Sequence, residues 1–358
     1  MNRLAHLDSL RGLAALSVIY YHVAEFALKT GKVSFGAEHA LFALLTEWAD
    51  LGKIAVAVFF AISGFVIPYS ILKPREQPLK HFVISRFFRL YPAFWLSIPV
   101  GLLVLFVMLN RPFTLPMVLA NLTMVQQFLG FPNIIGVYWT LQIELIFYAI
   151  SAGLFVIGWL GKARMVAATT LLFLGAALLA AALRYWTGKS LPVAIPLGLT
   201  VMFWGLLWRY TLEQRENVRR LFIMVTAAIA VVLPPLCVLA YNFDTGFGET
   251  WYRYLISYYA AMALFVLFTA RIRLTHPVLI YLGTISYSLY LFGPIGQELA
   301  NILLGSAVER IPIHLFILLA MVFSIIMAAL TYRFVEAPAI ALGRRLSDRG
   351  IADRRQTA

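Results

Sequence analysis

Ten stretches of about 20 mostly apolar residues dominate the chain, at roughly 10–28, 53–72, 91–109, 138–160, 165–184, 191–208, 221–240, 254–271, 277–304 and 313–333. Each is long enough to carry a helix across about 30 Å of hydrocarbon at about 1.5 Å per residue. Strands of a membrane barrel would alternate in polarity over about ten residues, and these runs do not alternate. The sequence therefore predicts an all-α polytopic membrane protein with about ten transmembrane helices. Composition closes off the alternatives. Of 358 residues, 62% are apolar and only 13% charged, whereas a soluble domain carries about 25% charged residues. The single cysteine, Cys237, excludes a disulfide framework and a cysteine metal site, and no metal is expected. A further apolar stretch, 113–131, is interrupted by Pro112 and Pro116, bounded by Pro132 and carries Gln126 and Gln127. It reads as a re-entrant or surface-lying segment.

A net charge of +13 in a soluble protein would point to nucleic acid. In a membrane protein the simpler source is retention of Lys and Arg on the cytoplasmic side. Ten spans place both termini on one face, and 21 of the 29 Lys and Arg residues then fall on that face. Both termini are accordingly expected in the cytoplasm, with a membrane domain over 1–338 and a basic cytoplasmic tail over 339–358. Arg11 and His22 argue against a cleaved signal peptide in the first run. No soluble domain is expected. No internal repeat or matched pair of broken helices is visible, which counts against a secondary transporter.

Ionisable groups at membrane depth are costly and are candidates for function. His22 and Glu25 lie in the first run, Glu144 in the fourth and Glu298 in the ninth, while His314 sits near an interface as an anchor. Each has a plain alternative as a satisfied packing group. His22 lies twelve residues into a span entered from the cytoplasm, about 18 Å deep. Glu144 lies six residues, about 9 Å, into a span entered from outside near Tyr138. Similar depth makes Glu144 a candidate partner for the imidazole, the arrangement a general base needs. Glu25, three residues along the same helix face, is a rival.

A second constellation lies at the expected cytoplasmic ends. Arg86 and Arg89 are three apart before the third run, and Arg11 opens the first at the same level. Guanidinium groups bind phosphate oxygens through a planar fork, although interfacial arginines also arise from the charge rule alone. An anion site at the mouth with a base deeper in the core suits a ligand with a phosphorylated head and a long narrow arm. Coenzyme A has that shape.

The segment His-Leu-Asp-Ser-Leu-Arg-Gly-Leu-Ala-Ala-Leu, from His6, with ten residues between its Arg11 and His22, resembles the opening of the acyltransferase-3 family of membrane acyltransferases. Phe59-Phe60-Ala61-Ile62-Ser63-Gly64-Phe65, Arg86-Phe87-Phe88-Arg89-Leu90-Tyr91-Pro92 and Tyr138-Trp139-Thr140-Leu141-Gln142-Ile143-Glu144 resemble its next motifs. Tyr287-Ser288-Leu289-Tyr290-Leu291 and Phe334-Val335-Glu336-Ala337-Pro338 resemble its closing pair. Each motif is weak alone, but six in order from Leu7 to Pro338 are specific. One position departs from the pattern: Gly293 stands where relatives often carry a histidine.

The resemblance implies transfer of an acyl group, acetyl being the expected one, from acyl-coenzyme A to a hydroxyl of a carbohydrate or glycoside. His22 would be the catalytic base and Glu144 its orienting partner. Arg11, Arg86 and Arg89 would hold the donor phosphates, with Ser63 and Gly64 along the path of the arm. Ser-Gly in a membrane helix equally serves packing through small residues. The expected location is a bacterial-type plasma (inner) membrane. The expected partners are acetyl-coenzyme A, a carbohydrate acceptor and the lipid bilayer, without nucleic acid, and the sequence leaves a homo-oligomer open. The competing reading is a non-enzymatic carrier or flippase for a lipid-linked sugar that uses the same buried polar groups.

Overall fold

The computed structural model describes residues 5–31, 36–213, 218–242, 250–305 and 310–355, with side chains through residue 348. Every regular element among the described residues is helical. The first part of the chain forms α1 (Ala5–Lys29), α2 (Gly36–Ala43), α3 (Leu51–Val66), α4 (Pro68–Leu72), α5 (Pro78–Leu102), α6 (Leu115–Leu122) and α7 (Tyr138–Val156). Then follow α8 (Ala163–Thr187), α9 (Ala194–Leu212), α10 (Val218–Tyr241), α11 (Trp251–Ala270), α12 (Pro277–Thr284), α13 (Ser286–Leu304), α14 (Ile313–Thr331) and α15 (Ala337–Arg355). Wider π turns at Leu44–Trp48, Leu103–Val107 and Tyr332–Glu336 extend α2 and α5 and join α14 to α15.

Seven helical stretches among the described residues are long and apolar enough to cross a membrane, and α12 with α13 makes an eighth if that bent pair is one span. The bend between them is 78°. The other two expected spans, 10–28 and 191–208, fall on α1 and α9, helices of 25 and 19 residues. These two lie inside the bundle. A helix surrounded by protein need not carry the uniform apolarity that lipid demands.

Glycines set the central packing. Gly64 of α3 faces the backbone of Met202 on α9, and Gly205 of α9 faces the carbonyl of Ala61 on α3. A Cβ at either place would overlap backbone atoms of the other helix. Gly12 of α1 meets the carbonyl of Leu279 on α12, and Gly283 of α12 meets the backbone of Asp8. Small residues let helix backbones approach closely where lipid offers no hydrophobic drive. Gly52, near the start of α3, faces the ring of Tyr21, near the end of α1. The two helices therefore run antiparallel, with Asp50 at the level of Tyr21.

The 113–131 stretch doubles back along α5, with one side packed and Leu115, Phe128 and Leu129 exposed. The Tyr91 hydroxyl donates to the Thr123 carbonyl at 3.1 Å, and the Trp95 indole donates to the Leu122 carbonyl at 3.0 Å. Buried Asn121 and Gln126 hold the return: the Asn121 amide donates to the carbonyls of Met117 and Pro132, and Gln126 donates to Asn133. This fold-back has a consequence for α7. Its first residue, Tyr138, is fully buried, packs on Phe94 and hydrogen bonds Ser97 at 2.7 Å. The first turn of α7 thus lies inside the bundle, level with Phe94 and Ser97 of α5.

Candidate active site

A cavity of about 780 Å³ opens between α1, α3, α5, α7, α12, α13 and α15. Its cationic wall holds Arg11, Arg86, Arg89 and Arg344, with His81 beside them. Its inner part is lined by Val56, Phe59, Phe60, Thr140, Leu141 and Tyr290. Along α3 the lining runs from Ile67 to Val56, eleven residues or about 16 Å of helix.

The arginines are held differently. Arg89 pairs with Glu336 at 3.0 Å, and the Glu336 side chain is fully buried. The Ser288 hydroxyl donates to the other carboxylate oxygen at 2.6 Å. Three sequence motifs therefore meet at one ion pair. Arg86 lies over the rings of Phe82 and Tyr148, 5.6 Å from each centroid, and donates to the Ser70 hydroxyl at 3.3 Å. Its Nε is buried and has no hydrogen-bond partner among the described residues. Arg11 lies in the field of Arg89, Asp8, Glu144 and Glu336.

Glu144 belongs to this cavity. The Tyr148 hydroxyl donates to it at 2.5 Å, one helical turn away. The expected match of Glu144 to the depth of His22 does not occur, because α7 starts at the level of Phe94 and Ser97. Six residues further on, Glu144 has come down to the arginine layer. The charged groups that act on His22 are the carboxylates of Glu25 and Asp50 and, with opposite sign, the ammonium groups of Lys53 and Lys29. Asp50 caps α3 by accepting the Lys53 backbone N–H at 2.8 Å. It also pairs with Lys53 Nζ at 2.5 Å and with Arg253 Nε at 2.7 Å. Arg253 in turn donates to the Tyr21 hydroxyl at 2.5 Å. Asp50 and Arg253 are both buried. Neither carries a sequence signal beyond a charge at the edge of an apolar run.

Of the other expected site residues, Ser63 lines the cavity. Gly64 does not; it faces Met202 and packs α3 on α9. Gly293 abuts Ile19 of α1, whose side chain would have to shift to admit even a Cβ. His22 lies outside the cavity lining, beyond its inner end: Val56 is six residues, or about 9 Å of α3, from Asp50. Sequence reading missed Thr140, whose hydroxyl meets that of Tyr290 at 2.8 Å, and Tyr287, which donates to the Leu90 carbonyl at 2.9 Å. Both lie within motifs, but nothing in their spacing marks them off from core residues.

The architecture is that of a helical protein of the membrane-spanning kind, with a cationic-mouthed cavity that penetrates its core. The acyltransferase domain of the acyltransferase-3 family matches residues 4–333, and the chain belongs to that family. Among curated proteins, acyltransferase MdmB of Streptomyces mycarofaciens is 32% identical over 156 residues, covering 41% of this chain and 38% of MdmB. YrhL of Bacillus subtilis (strain 168), named as a candidate peptidoglycan O-acetyltransferase, is 26% identical over 96% of this chain and 56% of its own length. Peptidoglycan O-acetyltransferase OatA of Listeria monocytogenes is 33% identical over 32% of this chain and 15% of OatA. The chain thus spans little more than half of YrhL and less of the other two. No solved structure matches.

Proposed function

We propose that this membrane acyltransferase moves an acetyl group from acetyl-coenzyme A to a hydroxyl of a carbohydrate acceptor. The observation that carries the reading is the cavity itself. Arginines cluster at one end, mainly apolar side chains line it further in, and its lining follows α3 toward the level of His22. Arg11 and Arg86 hold the diphosphate of the donor, and the pantetheine arm runs past Ser63 toward Phe59 and Val56. The names of YrhL and OatA support an acetyl donor and a glycan acceptor.

His22 takes the proton of the acceptor hydroxyl as its oxygen attacks the thioester carbonyl. A tetrahedral intermediate forms, the C–S bond breaks, and the imidazolium returns the proton to the departing thiolate. Glu25 and Asp50 supply the negative charge that stabilises the imidazolium. Glu144, bonded to Tyr148, acts within the donor cavity and not as the partner of His22. The arginine end lies in the cytoplasm with both termini, ten helices cross a bacterial-type plasma (inner) membrane, and residues 1–338 form the integral-membrane acyltransferase domain, with 339–358 a basic cytoplasmic tail whose first turns join the cavity wall. The acceptor then reaches His22 from the opposite side.

Purified protein in detergent should release free thiol from acetyl-coenzyme A faster when a glycan acceptor is added. His22→Gln should lower transfer by about 10²–10⁴-fold, the contribution of a positioned acid–base group, while coenzyme A still binds. A folded His22→Gln protein with near-normal transfer would remove His22 from the mechanism. Failure of the wild type to bind coenzyme A would remove the donor.

A further inference from the structure

The family match ends at residue 333, and α15 begins at Ala337. Yet α15 supplies Ala337, Ile340, Ala341 and Arg344 to the cavity wall. Its root is fixed by the buried Arg89–Glu336 pair, and Gly343 lets it lie directly on Phe88 of α5. One turn beyond Arg344, Asp348 acts electrostatically on His81. The seam between α5 and α15 therefore runs from Arg89 outward to His81, eight residues or about 12 Å along α5. Arg344 follows directly on Gly343, about two turns along α15 from Ala337, and lines the cavity.

We infer that α15 completes the donor site and that Arg344, with His81 across the seam, holds the 3′-phosphate of coenzyme A. This rests on the donor reading above and adds a specificity determinant to it. Coenzyme A carries a diphosphate next to its pantetheine arm and a separate 3′-phosphate farther out, on the ribose. An arm that points inward places the diphosphate among the deeper arginines and the 3′-phosphate nearer the mouth. Arg344 has no carboxylate partner among the described residues. His81 Nδ1 is buried without a hydrogen-bond partner among them. A phosphomonoester supplies acceptor oxygens and a charge near −2 to such a pair. A plain membrane-surface role would make Arg344 equivalent to Arg345, which is on the same helix but outside the cavity lining.

The test is calorimetric binding of coenzyme A and of 3′-dephospho-coenzyme A to the full-length protein in detergent. Wild type should prefer coenzyme A by about tenfold or more, the value of one charge-assisted contact. Arg344→Ala should reduce the preference to under about twofold, leaving affinity for the dephospho form unchanged. Arg345→Ala should keep the preference, and thermal unfolding of both variants should match wild type. Equal binding of the two ligands by wild type, an undiminished preference in Arg344→Ala, or the same loss in Arg345→Ala would each overturn the assignment while leaving coenzyme A as donor. Binding of neither ligand by wild type would instead remove the donor reading itself.

Discussion

At the scale of single residues, two arginines that look alike in the sequence have different duties. Arg86 carries a buried nitrogen without a partner and is seated by rings and one hydroxyl. Arg89 is committed to a fully buried carboxylate. Arg86→Ala should therefore weaken coenzyme A binding by about tenfold or more, since charge-assisted hydrogen bonds contribute about 1.5–3 kcal/mol. Arg86→Lys should recover only part, lacking the planar fork. Arg89→Ala should show itself chiefly as lost stability, about 3 kcal/mol, because it strands the Glu336 charge in the core. Adding Glu336→Gln to Arg89→Ala should then restore part of that loss, since an amide is cheaper to bury unpaired than a carboxylate. Calorimetric titration with coenzyme A and thermal unfolding on the same samples separate the two roles. Equal stability losses for Arg86→Ala and Arg89→Ala would refute the division.

At the scale of elements, the helices facing lipid were legible as apolar runs because hydrocarbon leaves them no alternative pattern. What surrounds the site was less legible, for reasons visible in particular residues. Nothing in the run 277–304 signals that it breaks by 78° at Ile285. The depth of Glu144 could not be counted from the start of its run, because the fold-back through Asn121 and Gln126 begins α7 inside the bundle. The basic composition of 339–358 does not show that its first turns, as part of α15, wall the cavity, with Gly343 lying directly on Phe88 of α5. Arg11, Arg86 and Ser63, far apart in the sequence, line one cavity. Gly64 was read along the donor path but packs helices, and this is directly testable. Gly64→Ala must force α3 from the backbone of Met202, and overpacking of this kind costs about 1–3 kcal/mol. Gly175→Ala on α8, where a Cβ meets nothing within 4 Å, should be neutral or stabilising by up to about 1 kcal/mol. Thermal unfolding of the two variants checks the contrast. Equal stability would mean that α3 and α9 are not held through that glycine.

At the scale of the whole molecule, the proposed chemistry requires the two ends of the bundle to face different compartments. In the proposed reaction the donor phosphates occupy the Arg11–Arg86 end, while His22 lies beyond the inner end of the cavity, near Asp50. In the proposed orientation the first end lies in the cytoplasm, the side on which an excess of Lys and Arg is retained. The link between α4 and α5, which contains Gln77, belongs to that end, because His81 and Arg86 follow it into the cavity wall. The sole cysteine, Cys237, is fully buried, and its replacement by serine gives a background without thiols. In that background Gln77→Cys should resist a membrane-impermeant maleimide in intact cells and react once the membrane is opened. A cysteine at Thr30, at the far end of α1, should react in intact cells instead, since α1 carries it past His22 to the opposite face. Labelling of Gln77→Cys from outside would invert the orientation. It would place the phosphate-binding end where acetyl-coenzyme A is absent, and the proposed direction of transfer would fail with it.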